Sequence, residues 1–172
     1  MKINKKIIAS TARGYVNLLI DSGMIEVEKT KRLEAEMDVA AVLLDYVDTE
    51  AQLNKETERE LMMRDLGSEN FLRVKKSISE RRKIKIGKLA EKKIAKQIIE
   101  VLYLSKNIEE IYGTDEELEF AFEAVLLRYE RVIKELDVEI KKKLKHLIEG
   151  SSEWDIEYLR VMNALKKQKG LL

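Results

Sequence analysis

The sequence predicts an all-α protein, a helical bundle built from two tandem four-helix repeats related by pseudo-twofold symmetry. Three observations predict this fold. The 172 residues include no proline and only 7 glycines, which disfavours turn-rich β-sandwiches and barrels. Apolar residues recur three and four positions apart, which is the spacing of amphipathic helices. The chain also resembles itself at a fixed interval of 83 residues.

This internal repeat is visible when the sequence is aligned with itself at that shift, without gaps. Of 83 aligned pairs, 20 are identical, whereas on the order of six would be expected for this composition. The run Ala41-Val42-Leu43-Leu44 falls on Ala124-Val125-Leu126-Leu127. We therefore predict repeat one at 1–86 and repeat two at 87–172, packed together as one compact unit with a shared core.

Helices A and B are expected to open each repeat. In repeat one they span about 5–22 and 29–48, and in repeat two helix A spans about 88–105. Thr114 and Glu117 fit a capping box, in which each side chain hydrogen-bonds the other residue's backbone N–H. This pattern predicts that the second helix B begins at Thr114.

Helices C and D are expected to close each repeat. Asn54 and its equivalent Asp137 suit the N-cap position, so we predict that helix C begins there. A Gly-Ser pair follows in both repeats, at Gly67-Ser68 and at Gly150-Ser151. The glycine suits the left-handed residue that closes a helix, and the serine (or Ser152 in repeat two) suits the N-cap of helix D.

The composition argues against several kinds of chemistry. Without cysteine there are no disulfides, thiol nucleophiles or cysteine-bound metals. The single histidine, His146, lies among lysines and has no Glu three residues before it, so we expect a structural or surface role. There is no Gly-rich phosphate loop or serine nucleophile elbow. We therefore predict no catalytic residues, no metal, no cofactor and no small-molecule ligand, and thus a protein that is not an enzyme.

Charge and hydropathy predict a cytoplasmic protein. The 33 basic and 32 acidic residues almost cancel, for a net charge of +1. No apolar stretch approaches the roughly 20 residues of a membrane span, and the N-terminal apolar run is too short for a signal peptide. Enrichment in lysine and glutamate also favours a thermophilic source, because ion-pair networks gain relative value at high temperature.

A basic segment at 72–96 is the strongest functional feature of the sequence. It contains eleven cations and two acids, and such a strip suits a phosphate backbone or an acidic partner. If helix continued from Arg81 to Lys96, five of these cations would lie on one face. The candidate surface residues are Arg73, Lys75, Lys76, Arg81, Arg82, Lys85, Lys88, Lys92 and Lys96. The alternative interpretation is that the segment pairs with the acidic segment 107–123.

The sole tryptophan begins helix D of repeat two. Trp154, Tyr158, Val161 and Leu165 recur at helical spacing, which is typical of a face that packs helix D on the base of the protein. The alternative is that Trp154 and Tyr158 form an exposed anchor for a partner protein.

The stretch at 149–158, Glu-Gly-Ser-Ser-Glu-Trp-Asp-Ile-Glu-Tyr, resembles the C-terminal signature of a bacterial family, domain of unknown function 507. The N-terminal half resembles the same unit, with Gly67-Ser68-Glu69-Asn70-Phe71 at the matching place. The resemblance implies an all-helical, Y-shaped protein with a four-helix base and two helical arms. It implies no activity. We expect helices A and B of both repeats to form the base, and helices C and D to form the arms.

Together these features favour a non-catalytic interaction or scaffold protein, with a protein partner or self-association. The alternative is a nucleic-acid-binding protein that uses the basic segment 72–96. No membrane association is predicted.

Overall fold

The computed structural model describes residues 5–169, apart from the side chain of Lys6, and confirms an all-α fold. Over this range it contains six α-helices, a two-stranded ribbon and three short 3₁₀ helices. The helices are α1 (Ile8–Asp21), α2 (Arg32–Met63), α3 (Phe71–Arg81), α4 (Lys88–Leu104), α5 (Asp115–Lys143) and α6 (Ser152–Gln168). The strands are β1 (Ile25–Glu26) and β2 (Glu110–Ile111), and the 3₁₀ helices are Lys5–Ile7, Lys29–Lys31 and Ser68–Asn70.

A central core lies between four helical segments. Helices α1 and α4 each pack on both α2 and α5, and α2 and α5 contribute their N-terminal halves to this core. The ring of Tyr15 meets that of Phe122 edge-on, with ring centroids 5.4 Å apart, a favoured geometry for aromatic pairs. The central core therefore joins helices from both halves of the sequence.

Two smaller cores lie outside the central one. The first outer pair, formed by the C-terminal half of α2 with α3, buries Leu53, Leu61, Val74 and Ile78. The second outer pair, formed by the C-terminal half of α5 with α6, buries Leu136, Ile140, Leu144, Met162 and Leu165. Each long helix thus takes part in the central core with one half and in an outer pair with the other.

The predicted break between helices B and C is wrong. Helix α2 runs through Asn54 and helix α5 runs through Asp137 without interruption. The reason is that the apolar face continues past both positions, for example at Leu136 and Ile140. Since neither helix contains a glycine or proline, an isolated capping residue does not end it. Each half therefore has three helices where four were expected.

The predicted caps of the second half are confirmed. Thr114 and Glu117 form the capping box: the Glu117 backbone N–H donates to Thr114 Oγ1 (3.3 Å) and the Thr114 backbone N–H donates to Glu117 Oε2 (2.8 Å). Gly150 has a left-handed φ of 87°. Ser151 caps α6, since its Oγ accepts from the Trp154 backbone N–H at 3.2 Å.

The equivalent caps of the first half are wrong. Gly67 is extended, with a φ of −72°, and Asp65 takes the left-handed conformation with a φ of 51°. Ser68 begins a 3₁₀ turn, so that α3 begins only at Phe71. The same Gly-Ser pair therefore has a different local structure in each half.

A short antiparallel ribbon connects the two halves. Ile25 lies opposite Ile111, and Glu26 lies opposite Glu110. The Glu109 backbone N–H donates to the Glu26 carbonyl at 2.9 Å. Each strand has only two residues, which is too short for a recognisable period of two in the sequence.

Candidate interaction surface

The basic residues predicted as one surface lie in two groups. Helix α3 ends at Arg81, the chain turns through 82–87, and α4 begins at Lys88. Within the turn, Lys83 and Gly87 have positive φ values of 56° and 62°, a conformation that interrupts a helix and that glycine adopts at little cost. The continuous strip from Arg81 to Lys96, which required helix through Gly87, therefore does not form.

The cations of α3 and of the residue after it are largely paired with α2. Arg81 Nη2 lies 2.9 Å from Glu60 Oε2, and Arg82 Nη1 lies 2.6 Å from Glu56 Oε2. Lys75, the least exposed of the basic set, has its Nζ 3.3 Å from Glu50 Oε1. Partly exposed pairs of this kind contribute about 0–1 kcal/mol each. They hold α3 against α2 and leave these three cations less available to a partner.

The lysines of α4 are in a different situation. Lys88, Lys92 and Lys96 recur every four residues, are exposed and share one side of the helix. None of them has an ion pair within residues 5–169. Positive charge near a helix N-terminus opposes the helix dipole, and like charges four residues apart repel each other. Local helix energetics therefore do not explain this strip.

Helix α5 shows the arrangement that the dipole favours. Its first turn carries Asp115, Glu116 and Glu117, and its last turn carries Lys141, Lys142 and Lys143. A hydrogen bond from the Thr114 backbone lowers the pKa of Glu117. The contrast with α4 shows that unfavourable placement of charge is not general in this chain.

The acidic segment 107–123 is not the ion-pair partner of the basic segment. No ion pair joins the two segments over the part of the chain that the structure describes. Near the ribbon, a hydrogen bond between the carboxyls of Glu28 and Glu109 raises the pKa of Glu109. The nearest approach of the two segments is a cleft of about 280 Å³, which Glu123 lines together with Lys88 and Lys92. The interpretation that the segments neutralise each other is therefore wrong for most of these residues.

Trp154 and Tyr158 pack within the second outer pair. Their rings are stacked, with centroids 4.8 Å apart, and both are half-buried against the outer core. The Tyr158 hydroxyl donates to Asp137 Oδ1 at 2.7 Å. Burial, together with this carboxylate, raises the pKa of Tyr158 to about 12. The tryptophan thus packs α6 on the C-terminal half of α5, not on the base.

Other candidate chemistry is sparse in the described residues. His146 is exposed just beyond the end of α5. No group of three or more His, Cys, Asp or Glu residues between positions 5 and 169 is placed to hold a metal ion. Over the same range, none of the helices combines the length and the apolar character that crossing a bilayer requires.

One feature was missed by the sequence reasoning. A cleft of about 590 Å³ lies between α1 and α5 and is lined by Arg13, Arg128, Tyr129 and Lys169. The available signal was Gly14, a glycine inside the predicted helix A that has no glycine at the equivalent position in repeat two. A glycine inside a helix often marks a close approach of another group.

The comparisons with known proteins settle the family. A family model described as a protein of unknown function, DUF507, matches residues 1–171. The chain belongs to the DUF507 family. The match spans both halves of this DUF507 protein and agrees with the resemblance seen at 149–158. No curated protein matches the chain. The family description assigns no activity, so the function of this DUF507 protein has to be argued from its structure.

Proposed function

We propose that this DUF507 protein is a non-catalytic, all-helical interaction protein in which a four-helix base carries the two outer pairs as arms. The observation that carries the proposal is that each outer pair has its own hydrophobic core yet leaves large apolar side chains in solvent. These exposed side chains are Met62, Met63 and Leu72 on the first outer pair and Ile148 and Ile156 on the second.

The exposure of these side chains is large. Met62 and Met63 are 82% and 86% exposed, and Ile148 is 82% exposed. Such side chains are costly to leave in water when they cluster, and clustered apolar surface on a protein commonly marks an interaction site. Methionine suits such a surface because its flexible, polarisable side chain adapts to different partners. The outer pairs therefore supply two apolar surfaces for a protein partner.

We infer that the two arms arose by tandem duplication of one unit. Helices α1 and α4 end at Asp21 and Leu104, which are 83 residues apart, and α2 and α5 begin at Arg32 and Asp115, again 83 apart. The ribbon supports the same relationship, because its register is unchanged when the two copies are exchanged. A pseudo-twofold axis through the ribbon, with one arm on each side, accounts for both observations and for a Y-shaped outline.

The proposal is tested by co-purification with substituted arms. Met62, Met63 and Leu72 are changed together to glutamine, and Ile148 and Ile156 are changed in a second variant. A matched control changes Leu33 and Met37, which are 61% and 62% exposed on the base. We expect a protein partner to be recovered with the parent and the control but to be lost with at least one arm variant. Recovery unaffected by either arm variant would contradict the proposal.

Nucleic-acid binding is a second candidate, and one observation favours it. The α4 lysines Lys88, Lys92 and Lys96 form an exposed strip without ion pairs in residues 5–169. Lys85 and Lys93 are also exposed nearby. Contacts between such cations and phosphates give an affinity that falls steeply with salt concentration.

Fluorescence anisotropy with labelled structured RNA, single-stranded RNA and duplex DNA tests this second candidate. The variant Lys85→Glu/Lys88→Glu/Lys92→Glu is compared with Lys134→Glu/Lys142→Glu/Lys145→Glu, which makes the same change in net charge at exposed positions elsewhere. We expect salt-sensitive binding that only the first variant abolishes. Equal loss in both variants would indicate a general charge effect and would remove the strip from consideration.

A further inference from the structure

The cleft between α1 and α5 is unusual in its charge. Arg13, Arg128 and Lys169 line it, whereas Asp21 is the only carboxylate among its described lining residues. Arg128 and Lys169 have no ion pair within residues 5–169. Arg13 has an exposed contact of 3.5 Å from its Nε to Glu36, which leaves the terminal nitrogens of its guanidinium available. The cleft therefore brings together three cations with little compensation.

Gly14 opens this cleft, and Tyr129 forms part of its wall. A Cβ atom at position 14 would lie 3.0 Å from the Tyr129 hydroxyl oxygen, so any larger residue there would press on the ring. The Tyr129 hydroxyl donates to the Ser10 carbonyl at 2.5 Å, which fixes the ring against α1. The floor of the cleft is thus rigid and includes an aromatic side chain.

The other half of the molecule provides an internal comparison. The tyrosine is kept at the equivalent position, Tyr46, but Gln97 replaces Gly14 and Asp45 replaces Arg128. Burial, followed by the carboxylates of Glu50 and Glu91, raises the pKa of Tyr46 to about 12.

At Tyr129 the neighbouring charges have the opposite sign. Burial raises the pKa of Tyr129, while the guanidinium groups of Arg128 and Arg13 act to lower it. Both guanidinium groups must therefore lie near this hydroxyl. The two halves share a tyrosine at this place, but only the second half surrounds it with cations and leaves the space before it open.

We propose that the cleft between α1 and α5 binds a small molecule that carries two or more phosphate groups. Its volume of about 590 Å³ lies within the usual range of small-molecule sites, about 300–1,000 Å³. Guanidinium groups pair with phosphate through two parallel hydrogen bonds, and such charge-assisted bonds are the strongest available at a protein surface. This site is separate from the apolar arms and from the α4 lysines.

Isothermal titration calorimetry with inorganic pyrophosphate and with ATP tests this proposal. We expect saturable binding of at least one probe to the full chain. Equal affinity would assign the site to the phosphates alone, and tighter binding of ATP would add a contact between its ring and Tyr129. No binding of either probe at millimolar concentration would overturn the proposal.

Variants then locate the site. Arg128→Asp, which copies the residue of the other half, is expected to weaken binding at least tenfold. Arg59→Asp, an exposed position on α2 with the same change in charge, is expected to change it less than twofold. Lys169→Gln, at an exposed position, provides a milder second variant with an expected loss of at least threefold if Arg128→Asp unfolds.

The triple change at Lys85, Lys88 and Lys92 separates this site from the proposed nucleic-acid surface, because it should leave pyrophosphate binding intact. Equal weakening by Arg128→Asp and Arg59→Asp, or loss of pyrophosphate binding in the triple variant, would show that the phosphates do not bind in this cleft.

Discussion

The hydroxyl of Tyr15 donates a hydrogen bond to the carbonyl oxygen of Leu118 at 3.0 Å. Tyr15 lies on α1 in the first half of the chain, and Leu118 lies on α5 in the second half. Both residues are fully buried. The bond therefore fixes the two halves to each other inside the central core, where water cannot compete for either group.

Tyr15→Phe removes this bond but keeps the ring and its contact with Phe122. We expect a loss of about 0.5–1.5 kcal/mol in the free energy of unfolding, the usual value for one hydrogen bond. Tyr15→Ala, which also empties the ring's space, should cost about 3–5 kcal/mol. Urea unfolding followed by circular dichroism measures both. Equal losses in the two variants would show that the ring contributes nothing beyond the hydroxyl, contrary to the packing described here.

Thr114→Ala removes the side-chain half of the capping box at the start of α5. We expect a loss of about 1 kcal/mol, because one backbone N–H of the first turn loses its partner. Thr49→Ala, inside α2, is the matched control and should change the stability by less than about 0.5 kcal/mol. Chemical unfolding of both variants checks the difference. A larger loss in the control would contradict the assigned cap.

The separation of the outer cores predicts local effects of core substitutions. Leu136 and Leu53 are fully buried in the second and first outer cores. Leu136→Ala is expected to cost about 2–5 kcal/mol locally and to increase amide exchange in α6 while leaving α3 protected. Leu53→Ala should have the converse effect. Hydrogen exchange with mass spectrometry distinguishes the helices, and a uniform increase across both outer pairs would disprove their independence.

Alkaline pH should destabilise the protein through Tyr46. Its pKa is about 12 in the fold, above the value of about 10 for an unfolded tyrosine. Because the folded pKa is raised, the contribution of Tyr46 to stability is complete below pH 10 and is lost as the pH rises towards 12. Tyr46→Phe should therefore reduce the slope of stability against pH in that window, measured by guanidinium unfolding. An unchanged slope would contradict the buried position of this hydroxyl.

The features of the fold that depend on local sequence could be predicted. The ends of α1 and α4 lie within one residue of the expected ends of helix A, and Thr114 begins its helix as its capping pattern indicates. In these places a short stretch of chain determines the structure. The internal repeat also predicted that the corresponding helices of the two halves would match.

The features that depend on tertiary packing could not be predicted. Asn54 and Asp137 have the residue types of N-caps, but the outer cores on either side keep the helices continuous. Asp137 instead accepts a hydrogen bond from Tyr158, 21 residues away. The cleft with Arg13, Arg128 and Lys169 brings together residues far apart in sequence, and no local pattern marks such a site.

The central claim is that the outer pairs are partner-binding arms, and site-specific photo-crosslinking in cells tests it most directly. A photo-reactive amino acid is placed at position 63 or 148 on the outer pairs, or at position 33 on the base. All three positions are exposed. We predict a discrete adduct with another protein from at least one arm position and none from position 33. The same adducts from all three positions, or none from either arm position, would contradict the claim.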